Sequence, residues 1–253
     1  MKKLLYIILF FYFSIAIVPK NAIAAQTSNL TIKVHTMTQK GKNPYFEYQL
    51  NYPQFHNIPD GQFQKKLNTY YEKSTNQFKK NLEKDAKTYY EQSKETDAPF
   101  HPYIANVDYK VGLNKFPLLS LYVNRYQYTG GAHGMYEWKA NTFDVEKNKP
   151  LRLADLFQKD SQYETIIKTE IVRQIEQNKE NFFPDAAEKA MNEKKLKYVL
   201  EQDHLMIYFP LYEIAPYASG IPQFRIPYTL LREVLKPKYQ NILIDNAQMD
   251  SVR

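Results

Sequence analysis

Residues 60–94 read DGQFQKKLNTYYEKSTNQFKKNLEKDAKTYYEQSK and place their apolar side chains with a helical period. The apolar positions recur at three- and four-residue steps, the spacing of one face of an α-helix. They are Phe63, Leu67, Tyr70, Phe78, Leu82, Ala86 and Tyr89. Asp60 precedes them, where its carboxylate can accept hydrogen bonds from the first backbone amides of a helix. The sequence therefore predicts one long amphipathic helix over residues 61–94.

Alternating apolar residues on both sides of this helix predict antiparallel hairpins. Upstream, residues 30–36 and 46–52 alternate apolar and polar side chains around a turn that contains Gly and Pro. Downstream, residues 103–111 and 119–123 show the same period of two, which is typical of half-buried strands. The order of two strands, a helix and two strands indicates an α+β fold with antiparallel sheets packed against a long helix.

A second set of elements predicts a second α+β half. The predicted elements are a strand at 136–145, a helix opened by a capping box of Ser161 and Glu164, a short helix from 184 to 193, strands at 205–209 and 224–227, and a helical turn at 229–235. We therefore expect two tandem α+β halves, residues 27–135 and 136–237, followed by a tail at 238–253.

The first 24 residues have the three parts of a secretory signal peptide. Lys2 and Lys3 form a cationic start, and residues 4–18 form an apolar run that is short for a membrane span. Ala22-Ile23-Ala24 then has the small-x-small pattern of a cleavage site. We expect cleavage after Ala24 and an extracytoplasmic protein that is secreted or associated with the cell wall. The alternative is an apolar run kept as a membrane anchor.

The composition excludes several classes of function. The 253 residues contain no Cys, which excludes thiolate metal sites and a Cys nucleophile. Removal of residues 1–24, which hold three lysines and no acid, lowers the formal net charge from +7 to +4. This bias is too small to predict nucleic-acid binding, although it is compatible with an anionic wall surface. The 22 tyrosines are unusually many, and tyrosine suits recognition surfaces because it combines an apolar ring with a hydroxyl.

The known motifs for catalysis and cofactor binding are absent from the sequence. There is no GxSxG elbow, phosphate-binding loop or dinucleotide fingerprint. None of the five histidines lies three or four residues from another. We therefore expect no catalytic residues of a known type, no cofactor and no dedicated metal site.

Three of the seven glycines fall in the segment GGAHG at residues 130–134. Glycine permits positive φ and a close approach of the backbone, so this segment could hold a ligand with His133 as hydrogen-bond donor or base. A tight bend between strands, with His133 as a local cap, explains the same pattern. No acid or nucleophile stands nearby in sequence to work with His133, which favours the bend.

Three tyrosines share one face of the strand that precedes this segment. Tyr122, Tyr126 and Tyr128 alternate with the apolar residues of the opposite face. Such tyrosines can form a platform for a sugar or a protein. The alternative is that these tyrosines pack across the hairpin, and the sequence favours that interpretation.

The segment LYEIAPYASGIPQF at residues 211–224 predicts a rigid loop. Its prolines restrict the backbone, so the loop would lose little conformational entropy on binding a partner. Alternatively, the loop is a cover that buries Ile214 and Tyr217. The two interpretations are compatible, with residues 219–222 at an exposed tip. The predicted contact residues of the loop are Pro216, Tyr217, Ser219 and Pro222, with Tyr122, Tyr126, Tyr128 and His133 as the second choice.

Five segments together are similar to a bacterial extracellular module. They are GGAHG at 130–134, TFD at 142–144, KPLRLADLF at 149–157, YEIAPYASGIPQF at 212–224 and IPY at 226–228. The module resembles the lysozyme-sensing domain of sigma-V type anti-sigma factors. It also resembles the non-catalytic N-terminal part of peptidoglycan muramic-acid deacetylases. This resemblance implies an extracytoplasmic α+β binding domain without chemistry of its own.

The departures from these relatives narrow the expected function. Only three residues precede the apolar run, and no metal-binding motif follows Tyr228, so we expect a free-standing copy of the sensing domain. Its expected partner is a cell-wall glycan or a lysozyme-like protein, with no nucleic acid and with membrane contact only through an uncleaved leader. Lysozyme is basic, so a net charge of +4 gives no electrostatic attraction towards it. The alternative function is a wall-active enzyme with a site near His133.

Overall fold

The computed structural model describes residues 31–96 and 99–245, and the predicted signal peptide lies outside these residues. The strands are β1 (Lys33–Lys42), β2 (Phe46–His56), β3 (Tyr103–Lys115), β4 (Leu118–Tyr128), β5 (Met135–Asp144), β6 (Lys149–Pro150), β7 (Lys197–Leu200), β8 (His204–Tyr208) and β9 (Gln223–Pro227). The α-helices are α1 (Gly61–Thr96), α2 (Tyr163–Gln177), α3 (Ala186–Asn192) and α4 (Pro237–Gln240). No helix among the described residues is both long and apolar enough to cross a membrane.

The predicted α+β fold class is confirmed. Strands β1 to β6 form a six-stranded sheet in the order of the sequence, and β7, β8 and β9 form a separate three-stranded sheet. All neighbouring strands are antiparallel except β2 and β3, which are parallel. The parallel pair arises because the long helix α1 connects β2 to β3 and returns the chain to the end at which β2 began.

The helix α1 begins where the sequence predicts. The carboxylate of Asp60 accepts hydrogen bonds from the backbone amides of Gln62 and Phe63, both at 2.8 Å, as an N-cap does. The predicted buried face needs one correction. Tyr70 and Tyr89 are 46% and 40% exposed, whereas Tyr71 is only 2% exposed. Tyr71 continues the stripe of four-residue steps that starts at Phe63, and Tyr70 points about 100° away from it.

The two faces of the six-stranded sheet meet different partners. One face packs its alternating aliphatic residues, among them Leu119, Leu121 and Val123, against α1. The opposite face of β4 and β5 carries Tyr122, Tyr136 and Trp138, which pack against Met206 and Tyr208 of the three-stranded sheet. Helix α2 covers the far side of that second sheet with the side chains of Ile167, Ile171 and Ile175. The molecule therefore has four layers in the order helix, sheet, sheet and helix. Strand β8 lies in an inner layer, so the side chains on both of its faces are buried.

Two contacts fix how closely the sheets approach. Gly112 lies where β3 and β4 shift register, and a Cβ atom there would meet the carbonyl oxygen of Leu200 at 2.5 Å. Only glycine leaves room for β7 at that point. The buried hydroxyl of Ser120 accepts a hydrogen bond from the backbone amide of Leu200 at 2.9 Å and lies 2.7 Å from the Thr142 hydroxyl. A polar link therefore joins β4 and β5 to the second sheet.

The structure differs from the sequence predictions in the C-terminal half. The predicted capping box is wrong, because α2 starts at Tyr163 and the Ser161 hydroxyl donates to the carbonyl of Gln158 instead. Strand β7 was not predicted, since it is only four residues long. Residues 238–245 of the predicted tail form α4 and one π-helical turn, in which Tyr239 and Leu243 are buried. Ile242, Leu243 and Ile244 of this segment pack into the core.

The predicted boundary between the two halves falls at the start of β5. This strand pairs with β4 along its whole length and so continues the six-stranded sheet. Residues from Thr31 onwards group as one compact unit. The division at residues 135 and 136 therefore remains a prediction about organisation, and the structure joins the two segments through shared hydrogen bonds.

Candidate functional site

The structure brings the two predicted surfaces together. Tyr217, in the loop that connects β8 to β9, stacks its ring on His133 of the glycine segment, with ring centroids 3.9 Å apart and planes inclined by 17°. The Tyr217 hydroxyl donates a hydrogen bond to the carbonyl of Gly134 at 2.8 Å, across 83 residues of chain. The loop and the glycine segment thus form one surface.

The glycine segment has the tight bend that the sequence favours. Gly130 and Gly131 both have positive φ, at 95° and 90°. Gly134 lies directly beneath the ring of Tyr126, because a Cβ atom there would approach that ring to 2.4 Å. The hydroxyl of Tyr128 donates to the carbonyl of Gly131 at 3.0 Å, which ties the bend to the end of β4. Tyr126 and Tyr128, which precede the bend, therefore hold it in place.

Five aromatic side chains form what we call the aromatic patch. They are Tyr126, His133, Tyr136, Tyr212 and Tyr217. Tyr126 and Tyr136 are directly opposite each other on β4 and β5. The Tyr217 ring lies edge-on to Tyr136 at 6.0 Å and tilted to Tyr212 at 5.9 Å. His133 and Tyr212 are exposed and the other three rings are half-buried, so the patch is open to solvent on one side.

The hydrogen bonds of His133 define its tautomer. Its Nδ1 donates to the carbonyl of Gly134 at 3.0 Å, so in the neutral ring Nε2 carries the lone pair. That nitrogen faces the Tyr212 hydroxyl at 3.4 Å. Among the described residues no carboxylate bonds to the ring. His133 is therefore oriented by a backbone carbonyl and by tyrosine, an arrangement that positions it for contact and supplies no acid to assist it as a base.

The phenol of Tyr217 is held in its neutral form. Desolvation, together with the neighbouring hydroxyls of Tyr136, Tyr126 and Tyr212, raises the pKa of Tyr217 above its ordinary value. A neutral phenol both donates and accepts hydrogen bonds. Its donor is used by Gly134, and its oxygen can still accept a hydrogen bond from a ligand.

The other predicted residues differ in their exposure to solvent. Tyr122 is remote from the patch along β4 and stacks on Trp138 at 3.9 Å, so it belongs to the packing between the sheets, as the alternative interpretation has it. Pro216 and Ser219 are exposed, and the Ser219 hydroxyl donates to the carbonyl of Asn181 at 2.8 Å. Pro222 is buried next to the core, where its carbonyl accepts a hydrogen bond from the backbone amide of Phe209. It therefore does not form an exposed tip.

Sequence reasoning missed Tyr136, Trp138 and Tyr212. The first two alternate on β5 just as Tyr122 and Tyr126 alternate on β4, so a search for paired aromatic rows would have found them. Tyr212 has no comparable signal. It adopts a positive φ of 65° and reaches His133 only through the loop conformation.

A cavity of about 440 Å³ lies beside β5 and β7, away from the aromatic patch. Its Arg152 is engaged by the carboxylate of Asp155 at 2.9 Å, and this bond lowers the pKa of Asp155 to about 2. The Tyr163 hydroxyl donates to Glu164, and burial raises the pKa of Tyr163 to about 12. These groups are paired with each other, and none is an activated nucleophile. Within residues 31–96 and 99–245, no three His, Asp or Glu side chains could hold a metal ion.

Comparison with known families identifies relatives for both parts of the chain. Residues 39–136 match the family described as Deacetylase PdaC. Residues 154–229 match the family described as protein of unknown function DUF3298. The aromatic patch takes Tyr126, His133 and Tyr136 from the first matched segment and Tyr212 and Tyr217 from the second. The site is therefore assembled by the combination of the two.

The chain is also similar in sequence to a named deacetylase. It is 26% identical over 234 residues to the peptidoglycan-N-acetylmuramic acid deacetylase PdaC of Bacillus subtilis (strain 168). The match covers 90% of this chain and 46% of the relative, so the chain spans about half the length of that protein. The predicted resemblance to such deacetylases is confirmed. The resemblance to anti-sigma factors, and the assignment to a non-catalytic part, stay predictions.

Two solved structures share the fold. A DUF3298 family member from Bacteroides fragilis NCTC 9343 superposes with a TM-score of 0.65 at 20% identity, covering 87% of this chain and 99% of that one. A DUF3298 family protein from Pseudomonas aeruginosa PAO1 gives a TM-score of 0.55 at 20% identity, covering 83% and 96%. These likenesses show that the chain shares its overall fold with both structures.

Proposed function

We propose that this protein binds a glycan of the bacterial cell wall through the aromatic patch and has no catalytic activity of its own. The relationship to a deacetylase that is named for peptidoglycan N-acetylmuramic acid supports a wall polymer as the partner. The predicted signal peptide supports an extracytoplasmic location, secreted or associated with the wall.

The stack of Tyr217 on His133 is the observation that carries the proposal. A pyranose ring has apolar C–H faces and a rim of hydroxyls, so it can lie on an aromatic surface while its rim bonds to phenol groups. The patch offers this combination: two stacked rings, the phenols of Tyr136 and Tyr212, and one side open to solvent. Its rings are held by hydrogen bonds, so little entropy is lost when a ligand is bound.

The environment of His133 supports binding rather than catalysis. A general base or nucleophile in an active site needs a partner that orients and activates it. His133 is oriented by the Gly134 carbonyl, and its remaining nitrogen faces a tyrosine hydroxyl. Both ring nitrogens of His133 are therefore engaged within the patch, which supports a role for the ring as a contact surface rather than as a base.

The test is co-sedimentation of the secreted protein with purified peptidoglycan. Tyr217→Ala removes a central ring and is expected to weaken binding by roughly 30-fold, the effect of losing a hot-spot aromatic residue worth about 2 kcal/mol. Tyr217→Phe keeps the ring and should retain most of the binding. Tyr70→Ala, which removes an exposed tyrosine on α1, is the matched control and should bind as the wild type does.

Three outcomes would contradict the proposal. Equal binding by Tyr217→Ala and Tyr70→Ala would mean that the patch is not the contact surface. Binding to lysozyme with no binding to peptidoglycan would make the partner a protein. Turnover of a wall fragment that is lost in His133→Ala would make the protein an enzyme with a site near His133.

A further inference from the structure

A second pocket lies on the other side of the loop that carries Tyr217. It has a volume of about 290 Å³, close to the lower end of the range of roughly 300–1,000 Å³ that is typical of ligand sites. We call it the amide pocket, because its polar lining is made of Gln174, Asn178, Asn181, Ser219 and Gln223, with Phe182 beside them. A space of this size suits one small ring rather than an extended peptide.

The lining of the amide pocket carries no charged side chain. The carboxylate of Glu170 is bonded to Arg173 and to the Gln174 amide, and the carboxylate of Glu180 lies 3.5 Å from the Asn181 amide. The pocket also lies at the C-terminal end of α2, where Asn178 is the C-cap and the helix dipole is negative. An anionic ligand would be repelled at this position, so the pocket favours a neutral one.

The hydrogen-bonding capacity of the pocket suits an acetamido sugar. Asn178 donates its NH₂ group to the backbone carbonyl of Gln174, and Gln174 donates its NH₂ group to the carboxylate of Glu170 and to the backbone carbonyl of Arg225, so both amides keep their oxygens as acceptors. Among the described residues, no hydrogen bond engages the side-chain amide of Gln223, which can donate and accept. A ligand therefore needs N–H or O–H donors together with a carbonyl acceptor.

The remaining wall of the pocket is apolar. The half-buried ring of Phe182 stacks against Phe224 at 5.8 Å, and Ile221 and Pro222 lie next to it. This surface can receive a methyl group or the C–H face of a sugar. An acetamido group has a donor, an acceptor and a methyl group, and so matches all three features of the lining.

We infer that the amide pocket is a subsite for a neutral N-acetylated sugar and that the loop from Pro216 to Pro222 separates it from the aromatic patch. The loop is stiffened by a 3-10 turn in which Gly220 donates to the Tyr217 carbonyl at 2.9 Å. Tyr217 faces the patch and Ser219 faces the pocket, so neighbouring sugars of one strand can contact the two sides of the loop. This inference rests on the proposed function and adds the class of sugar that is recognised.

The experiment uses the β-1,4-linked tetramer of N-acetylglucosamine as probe and the β-1,4-linked tetramer of glucose as its control, which lacks the acetamido groups. Titration of ¹⁵N-labelled protein with the first probe is expected to shift the side-chain amide signals of Asn178, Asn181 and Gln223. The glucose tetramer should shift them much less. Equal shifts with both probes would overturn the assignment to an acetamido sugar.

The variants Asn181→Ala and Gln223→Ala test the same pocket by affinity. Both residues are exposed and their backbone contacts survive the substitution, so the fold is expected to stay intact. Each should weaken binding of the N-acetylated tetramer about two- to tenfold, the effect of one neutral hydrogen bond. Gln92→Ala, an exposed glutamine on α1, is the matched control and should bind normally.

The results separate this inference from the proposed function. If peptidoglycan binding depends on Tyr217 while both pocket variants bind the tetramer as the wild type does, the amide pocket is not a sugar subsite and the proposed function stands. If the wild type binds neither peptidoglycan nor the tetramer, both are overturned.

Discussion

The two faces of β4 and β5 differ in how completely they are covered. The face of β4 towards α1 is buried from Leu119 to Arg125, and three of its four residues there are aliphatic. The opposite face is covered by the three-stranded sheet near Tyr122 and Trp138 but is open near Tyr126 and Tyr136. A buried face needs shape alone, whereas a face that passes from core to solvent needs residues that tolerate both, and tyrosine does so. The open end of this second face is where the candidate site lies.

The largest expected effect tests the buried face. Leu121→Ala removes a fully buried side chain that packs against α1 and should lower the free energy of unfolding by about 2–5 kcal/mol. Its neighbour Tyr122 points to the other face, so Tyr122→Ala should cost less, since the ring is only half-buried. Urea denaturation of both variants measures the difference. Equal losses would mean that the two faces are packed equally well.

The next effect tests the contact between the sheets. Gly112→Ala places a methyl group against the backbone of Leu200 and the side chain of Val199, neither of which can move without shifting β7. We expect the free energy of unfolding to fall by about 1–3 kcal/mol. Gly61→Ala, where an added Cβ meets nothing within 4 Å, is the control and should change it by less than about 1 kcal/mol. If thermal melts give the two variants the same melting temperature, this contact between the sheets is refuted.

A smaller effect tests the open end of the second face. Tyr217→Phe keeps the ring on His133 and removes the hydrogen bond to the Gly134 carbonyl. The expected loss of stability is about 0.5–1.5 kcal/mol, the net contribution of one hydrogen bond. Tyr70→Phe, in which the ring is exposed, should leave the melting temperature unchanged. A melting temperature for Tyr217→Phe that matches the wild type would show that this bond does not hold the loop in place.

The smallest expected effect belongs to an exposed ion pair. The Arg152 guanidinium is 83% exposed and holds the pKa of Asp155 at about 2, below its usual 3.8. Because the pKa is lower in the folded protein, the stabilisation is present above pH 3.8 and is lost as the pH falls through about 2. Asp155→Asn should therefore destabilise the protein at neutral pH by less than about 1 kcal/mol. Urea melts of both proteins from neutral pH to pH 2 should converge, and a constant difference would contradict the assignment.

Local pattern was sufficient for most elements. The long helix, its N-cap at Asp60, both hairpins and the alternation that separates Leu121 from Tyr122 could all be predicted, because each is a property of neighbouring residues. The capping box at Ser161 could not be distinguished from a turn, since the serine hydroxyl had an alternative acceptor in the Gln158 carbonyl. Strand β7 was missed because four residues are too few to show a period.

The candidate site was predicted in pieces. Tyr126, Tyr128, His133, Pro216, Tyr217 and Ser219 were all singled out, and the structure places Tyr217 on His133. The same reasoning treated the glycine segment and the loop as separate sites, and it placed the buried Pro222 at an exposed tip. No local pattern indicates that residues 83 positions apart share a hydrogen bond.

The amino-acid sequence alone determines which residues share a face of each long strand and helix, since the period is a local property, but it does not distinguish the exposed Tyr70 from the buried Tyr71. Tertiary structure decides what covers each face. It sets the parallel pairing of β2 and β3 through the return of α1, the meeting of Tyr217 with His133, and the amide pocket between α2 and the loop. These depend on how whole elements pack, because the free energy of a long-range contact is gained only after the intervening chain has folded.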